Sequence, residues 1–255
     1  MEVFLNPDAW IALLTLTFLE IVLGIDNIIF ISIATGKLPA EKRKKATKLG
    51  MFLAMFMRIA LLFGINLLIQ MKEPWFHIDL SWFSAGITGQ SIILLLGGLF
   101  LIYKSTNEIR EKVDEKGHEE KEMKEAATKS FQNVILQIIM IDLVFSFDSI
   151  LTAVGMTNGV EGAIYIMVTA VIISVFIMMQ FAVPVGNFVN NHPSIQILGL
   201  AFLILIGMML LTESAHLSNA LIFGSHVTPL PKGYLYFAIT FSLVVEMINM
   251  KIKKK

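Results

Sequence analysis

Two stretches of this chain carry acids in otherwise apolar surroundings. Residues 19–28 read L-E-I-V-L-G-I-D-N-I, and residues 141–150 read I-D-L-V-F-S-F-D-S-I. Each holds two carboxylates, Glu20 with Asp26 and Asp142 with Asp148, and an oxygen-bearing neighbour follows, Asn27 or Ser149. Carboxylate, amide and hydroxyl are hard oxygen donors, a set that suits Mn²⁺, Ca²⁺ or Mg²⁺. The chain has no cysteine, so thiolate metal sites, Fe–S clusters, disulfides and cysteine nucleophiles are excluded. Its histidines (77, 118, 192, 216 and 226) are expected in loops, which disfavours an imidazole site for zinc or copper inside the apolar segments. The 15 methionines stand at helical spacing and read as packing or lipid contact rather than a copper(I) path.

A charged Asp at the centre of a bilayer costs about 2.5–3.5 kcal/mol on insertion scales, so four such groups unpaired amount to roughly 10 kcal/mol. The acids could instead cap polar residues or bond neighbouring helices, with Arg58 neutralising one of them. Two acidic pairs at matching spacing are harder to attribute to packing alone. Ionisable groups at membrane depth point first to an ion or proton pathway.

Apolar helices must position these residues. Of 255 residues, 56% are hydrophobic and 16% charged, with mean hydropathy +0.74, against about 25% charged in a soluble domain. The apolar excess has to face lipid. The net charge is zero, which argues against nucleic acid or another polyanion as partner. No Gly-rich phosphate loop is present, so nucleotide-driven transport within this chain is not expected. The chain begins Met-Glu-Val without a basic region, and a first apolar stretch of about 25 residues is too long for a signal core, so no cleavable signal is expected.

A transmembrane helix needs about 20 mostly apolar residues, and seven candidates run at 10–34, 49–71, 86–104, 131–155, 162–182, 195–212 and 233–250. With the N-terminus outside, the inner segments hold 17 of the 20 basic residues: six from Lys37 to Lys48, seven from Lys104 to Lys129 and four from Lys251 to Lys255. Only Lys72 and Lys232 fall outside, and Arg58 lies within the second span. The positive-inside rule therefore predicts a multi-pass inner or plasma membrane protein, N-terminus out and C-terminus cytoplasmic.

The two acidic stretches are related by an offset of 122, with Val22/Val144, Asp26/Asp148 and Ile28/Ile150 identical. Three spans separate them, so they cross the membrane in opposite directions. That is the mark of an inverted-topology repeat, with a site near the midplane at the repeat interface. The expected fold is all-α: two inverted three-helix repeats, 1–104 and 131–212, joined by a charged cytoplasmic loop at 105–130. An outer loop, a seventh helix and a basic tail follow at 213–255.

At 100° per residue Glu20, Gly24 and Asn27 share one helix face, as do Asp142, Ser146 and Ser149. Asp26 and Asp148 lie about 120° away on an ideal helix. All four carboxylates converge only if the helices bend or unwind, and Gly24 and Ser146 are the expected break points; freed carbonyls would then become ligands. Glu246, alone in the seventh span, is a candidate proton site or second ligand. Glu213 closes the sixth span and is a further candidate for a proton or supporting role, set against a simple place at the water interface. Lys104 and Glu108 stand at i,i+4 and read as a snorkelling interfacial pair, although Lys104 could also compensate the acids.

The motifs E-I-V-L-G-I-D-N at 20–27 and D-L-V-F-S-F-D-S at 142–149, with Arg58 and F-S-L-V-V-E-M-I-N at 241–249, resemble the TerC family of integral membrane proteins, over nearly the whole chain. The resemblance implies a seven-span protein related to LysE-type exporters, and manganese efflux. It also implies ligand roles for Glu20, Asp26, Asn27, Asp142, Asp148 and Ser149. The family name reflects tellurium resistance, but a carboxylate-lined site repels an oxyanion. The leading expectation is a secondary transporter exporting Mn²⁺ for protons, with Ca²⁺/H⁺ exchange as an alternative and no permanently bound cofactor. A different class is an accessory membrane protein that helps metalate or assemble secreted or membrane proteins, through membrane-protein partners or as an oligomer. Paired aspartates could also serve an intramembrane hydrolase, but no protease motif surrounds them, so an enzyme is not expected.

The charge asymmetry generates a topology prediction. A cysteine introduced by Gly117→Cys should resist impermeant thiol reagents in intact cells. Rapid labelling there would reverse the orientation.

Overall fold

A computed structural model describes residues 7–114, 131–157, 160 and 162–253, without the side chains of Ile25, Asp26, Asn66, Asp148 and Lys253. The helices are α1 (Pro7–Gly36), α2 (Ala40–Phe63), α3 (Ile65–Gln70), α4 (Gly89–Asp114), α5 (Phe131–Met156), α6 (Ala163–Asn190), α7 (Pro193–Leu217) and α8 (Lys232–Lys253). Seven of them, all but α3, are long and apolar enough to cross a membrane. The all-α polytopic expectation holds. The part of the charged loop from 115 to 130, with His118, lies outside the described residues, while α4 carries the helix on to Asp114.

Local chemistry sets the breaks. Pro39 lacks an N–H and stands at the start of α2, just after a turn in which the Leu38 N–H bonds the Thr35 carbonyl. Pro193 occupies the first turn of α7, which its ring tolerates, and biases His192 before it to the extended conformation observed.

The chain divides into two compact units, and each draws on both halves of the sequence. The first comprises residues 1–65 and 118–191 and contains α1, α2, α5 and α6. Here α1 packs on α6 and α2 on α5. The first of these contacts is made by small residues. A Cβ on Gly24 would lie 2.0 Å from Met178 Sδ, one on Gly186 3.0 Å from Ser32 Oγ, and one on Gly36 2.5 Å from Asn190 Oδ1. Each pair is separated by the same 154 residues, so α1 and α6 run parallel and in step. Small residues that let backbones approach closely are the usual means of helix association in lipid, where no hydrophobic drive operates between helices.

The second unit comprises residues 66–117 and 192–255. Its centre is the antiparallel pair α4 and α7. Ser214 Oγ donates to the Ser91 carbonyl at 2.6 Å, and Lys112 Nζ donates to Gln196 Oε1 toward the opposite end. Between them a Cβ on Gly98 would sit 2.7 Å from the Gly207 carbonyl oxygen. Phe237, Phe241 and Met247 on α8 are exposed, as is Tyr103 on α4. Such apolar exposure suits a lipid-facing surface.

This unit also contains a four-stranded antiparallel sheet that the span-by-span reading placed in loops and at the start of the third span. The strands β1 (Pro74–Asp79), β2 (Phe83–Thr88), β3 (Leu221–Ile222) and β4 (Ser225–His226) pair in sequence order. Phe223 (φ 50°) and Gly224 (φ 79°) close the last hairpin. Two positive φ values in a two-residue loop match the twist of the strands they join. Trp75, Phe76, Trp82 and Phe223 are exposed on this sheet. His216 lies in the last turn of α7 and His77 and His226 in strands, rather than in loops.

The α4–α7 contact leaves no room for a side chain. Gly98→Leu should lower the thermal unfolding midpoint of detergent-solubilised protein by several degrees, whereas Leu99→Ala, at an exposed neighbouring position, should leave it within a degree or two. Equal shifts would mean that the close approach is not what holds this pair together.

Candidate cation site

The site lies within the first unit and is built from α1, α2 and α5. Glu20 on α1, Arg58 on α2 and Asp142 on α5 are all buried, at 5%, 4% and 4% exposure. Arg58 Nη1 donates to Glu20 Oε2 at 2.6 Å. On its other side Nη2 donates to Asp142 Oδ1 at 2.6 Å, and Nε donates to Oδ2 at 3.2 Å. The planar guanidinium thus grips Asp142 with two donors and still reaches Glu20, a geometry that an ammonium group cannot reproduce. Three helices are tied by one cation.

Asp142 has further donors. Asn27 Nδ2 reaches Oδ1 at 3.1 Å, and Ser146 Oγ reaches Oδ2 at 3.1 Å. Ser149 Oγ donates to the Ser146 carbonyl at 3.2 Å. The shared faces read from 100° spacing, Glu20/Asn27 and Asp142/Ser146/Ser149, are therefore the faces that meet. One atom stands out: among the described residues nothing donates to Asn27 Oδ1, although Asn27 is 6% exposed. A buried acceptor without a donor is costly and uncommon.

Two small cavities flank the bridge. One, of about 20 Å³, is bounded by Gly24, Asn27, Ala54, Arg58, Asp142 and Met178 among others. It has room for a water-sized particle, which needs about 10–15 Å³. The other, of about 10 Å³, touches Glu20, Leu62, Ile150 and Ala153. They share no lining residue. Along α1 the first runs from Gly24 toward the C-terminal end, and the second from Glu20 toward the N-terminal end.

The expected helix breaks are absent. α1 is helical through Gly24 and α5 through Ser146. Gly24 is needed for the approach of Met178, and the Ser146 hydroxyl bonds Asp142 within the helix, so neither residue has to unwind the chain. The side chains of Asp26 and Asp148 lie outside the described residues. Among the described residues no three carboxylates or imidazoles come together as a metal-ion cage. Lys104 Nζ is 2.9 Å from Glu108 Oε1 in the second unit, and Glu108 is buried at 1% exposure, deeper than an interfacial pair requires. Glu213 on α7 and Glu246 on α8, also in the second unit, are half-buried. Sequence spacing had assigned Arg58 to a single acid. Its fork to two acids on separate helices carries no sequence signal beyond its being the one basic residue inside a span.

Seven membrane-length helices, with a buried ionic cluster in the first unit, define a polytopic integral membrane protein. The chain belongs to the TerC family: the family model described as "Integral membrane protein TerC family" matches residues 5–255. It is 46% identical to the UPF0053 inner membrane protein YgdQ of Escherichia coli over 98% of this chain and 96% of that one. A UPF0053 protein of Haemophilus influenzae is 45% identical over the same shares. The UPF0053 inner membrane protein YoaE of Escherichia coli is 41% identical over 98% of this chain but only 44% of its own length. No solved structure matches.

Removing one member of a buried ion pair costs about 3–5 kcal/mol because the partner charge is left without compensation. Arg58→Ala should therefore lower the unfolding midpoint markedly. Arg58→Ala/Asp142→Asn, which restores the local charge to its original value, should recover part of the loss. No recovery would assign the effect to packing rather than charge.

Proposed function

We propose that this protein is a secondary transporter that exports a divalent metal cation, Mn²⁺ foremost, in exchange for protons. The observation that carries the reading is the meeting of Glu20 and Asp142, buried on different helices, beside an Asn27 side-chain oxygen to which none of the described residues donates. Carboxylate and amide oxygens match a hard cation. Protons and metal compete for the same carboxylate oxygens, so loading the site releases protons. Asp26, Asp148 and Ser149 complete the proposed ligand set, and Glu246 is the proposed second proton carrier. Membership of the TerC family supports manganese over calcium. The relatives named inner membrane proteins support the same location here, and the basic segments support an N-out, C-in orientation.

The expected inverted repeat is compatible with the packing of the first unit. α1 and α5 correspond at the offset of 122, and so do α2 and α6. The packing of α1 on α6 and of α5 on α2 is reciprocal, as an inverted repeat requires. One observation favours the alternative of an accessory membrane protein: Arg58 already satisfies both described acids, as a purely structural tie would.

Flux decides between them. Proteoliposomes loaded with a pH dye should show Mn²⁺ movement with protons moving the other way. Asp142→Asn should reduce that flux at least tenfold in protein that still folds. No Mn²⁺ flux would favour the accessory role, and flux without proton movement would refute exchange.

A further inference from the structure

We propose that Arg58 is a resident cation: its guanidinium holds, between Glu20 and Asp142, the place that the transported divalent cation takes in the loaded state, and it must withdraw for the cation to enter. The inference rests on the transport reading above and assigns Arg58 the role of competitor and seal at that site.

The geometry leads there. A cation bridging the two carboxylates needs their facing oxygens, Glu20 Oε2 and Asp142 Oδ1, and both are engaged by Arg58 at 2.6 Å. No second cation can use those oxygens at the same time, because two positive charges would then lie within a few ångströms of each other in low dielectric. The bridge also stands between the two cavities. The larger is lined by Arg58, Asp142 and Asn27, with α1 and α2 residues such as Ile31 and Met51 beyond them. The smaller is lined by Glu20, Leu62 and Ala153 toward the other end of the same helices. The two cavities share no lining residue, and the fork joins a wall of the smaller, Glu20, to walls of the larger, Arg58 and Asp142. Asn27 Oδ1, to which none of the described residues donates, belongs to a residue lining the larger cavity and offers a cation arriving there a neutral ligand that Arg58, bound to the acids, leaves unused.

An internal competitor has a measurable signature. When only a fraction of the protein has its site vacant, apparent affinity falls by that fraction. Removing the competitor should tighten binding. A residue that merely holds the helices together should do the reverse, since its loss disorders the ligands.

The test is Mn²⁺ binding to the full chain in lipid nanodiscs, read from the free-ion electron paramagnetic resonance signal. Arg58→Met should bind Mn²⁺ at least tenfold more tightly than wild type, and added Mn²⁺ should raise its unfolding midpoint. Arg58→Lys keeps the charge and serves where the methionine variant fails to fold. Its ammonium cannot fork to both acids, so it should bind Mn²⁺ severalfold more tightly than wild type. Unchanged or weaker binding in a folded variant, beside a wild type that binds and transports Mn²⁺, overturns the resident-cation role and leaves the transport reading standing. Mn²⁺ binding to neither wild type nor the folded variants overturns the transport reading itself.

Discussion

A single guanidinium holds two acids that would otherwise repel each other in a medium with almost no capacity to screen them. Most of the first unit can be understood as what that arrangement requires. Glu20, Arg58 and Asp142 sit on different helices, so the bridge fixes the separation of α1, α2 and α5 together. In an aqueous protein such a bridge adds little net stability. Within lipid-embedded helices the comparison changes, because the separated charges have no water to return to. The bridge then offsets part of the cost of placing these charges at membrane depth.

The surroundings of the bridge are uneven. Asp142 receives Arg58 twice, Asn27 and Ser146, whereas Glu20 receives Arg58 once and Ser149. The better solvated of the two carboxylates is thus the one on α5, with Glu20 the looser partner. The asymmetry gives direction to a site whose two halves look alike in sequence. Glu20 also borders the smaller cavity, which Asp142 does not.

The number of spans, the two acidic faces and the meeting of α1 with α5 were legible because they follow from periodicity and from the cost of charge in lipid. Glu20/Asn27 and Asp142/Ser146/Ser149 share faces in any helix. The unwinding expected at Gly24 was misread for a physical reason: a glycine in a membrane helix has two uses, a break or a close contact, and one sequence does not distinguish them. Here the contact is Met178, 154 residues away. The sheet was missed because its strands are short and one of its three pairings, β2 with β3, joins residues more than a hundred positions apart. The burial of Glu108 beneath Lys104 was missed because i,i+4 spacing looks the same on a wet face and a packed one.

The seam between α1 and α6 also constrains how this protein can diverge. Every single-step change away from glycine at position 24 adds at least one carbon, and that carbon would fall 2.0 Å from the Met178 sulfur. A larger residue there requires the Met178 side chain to move aside or to be replaced by a smaller one. The two positions are therefore coupled in heredity: each limits the substitutions the other accepts without a rearrangement of the seam.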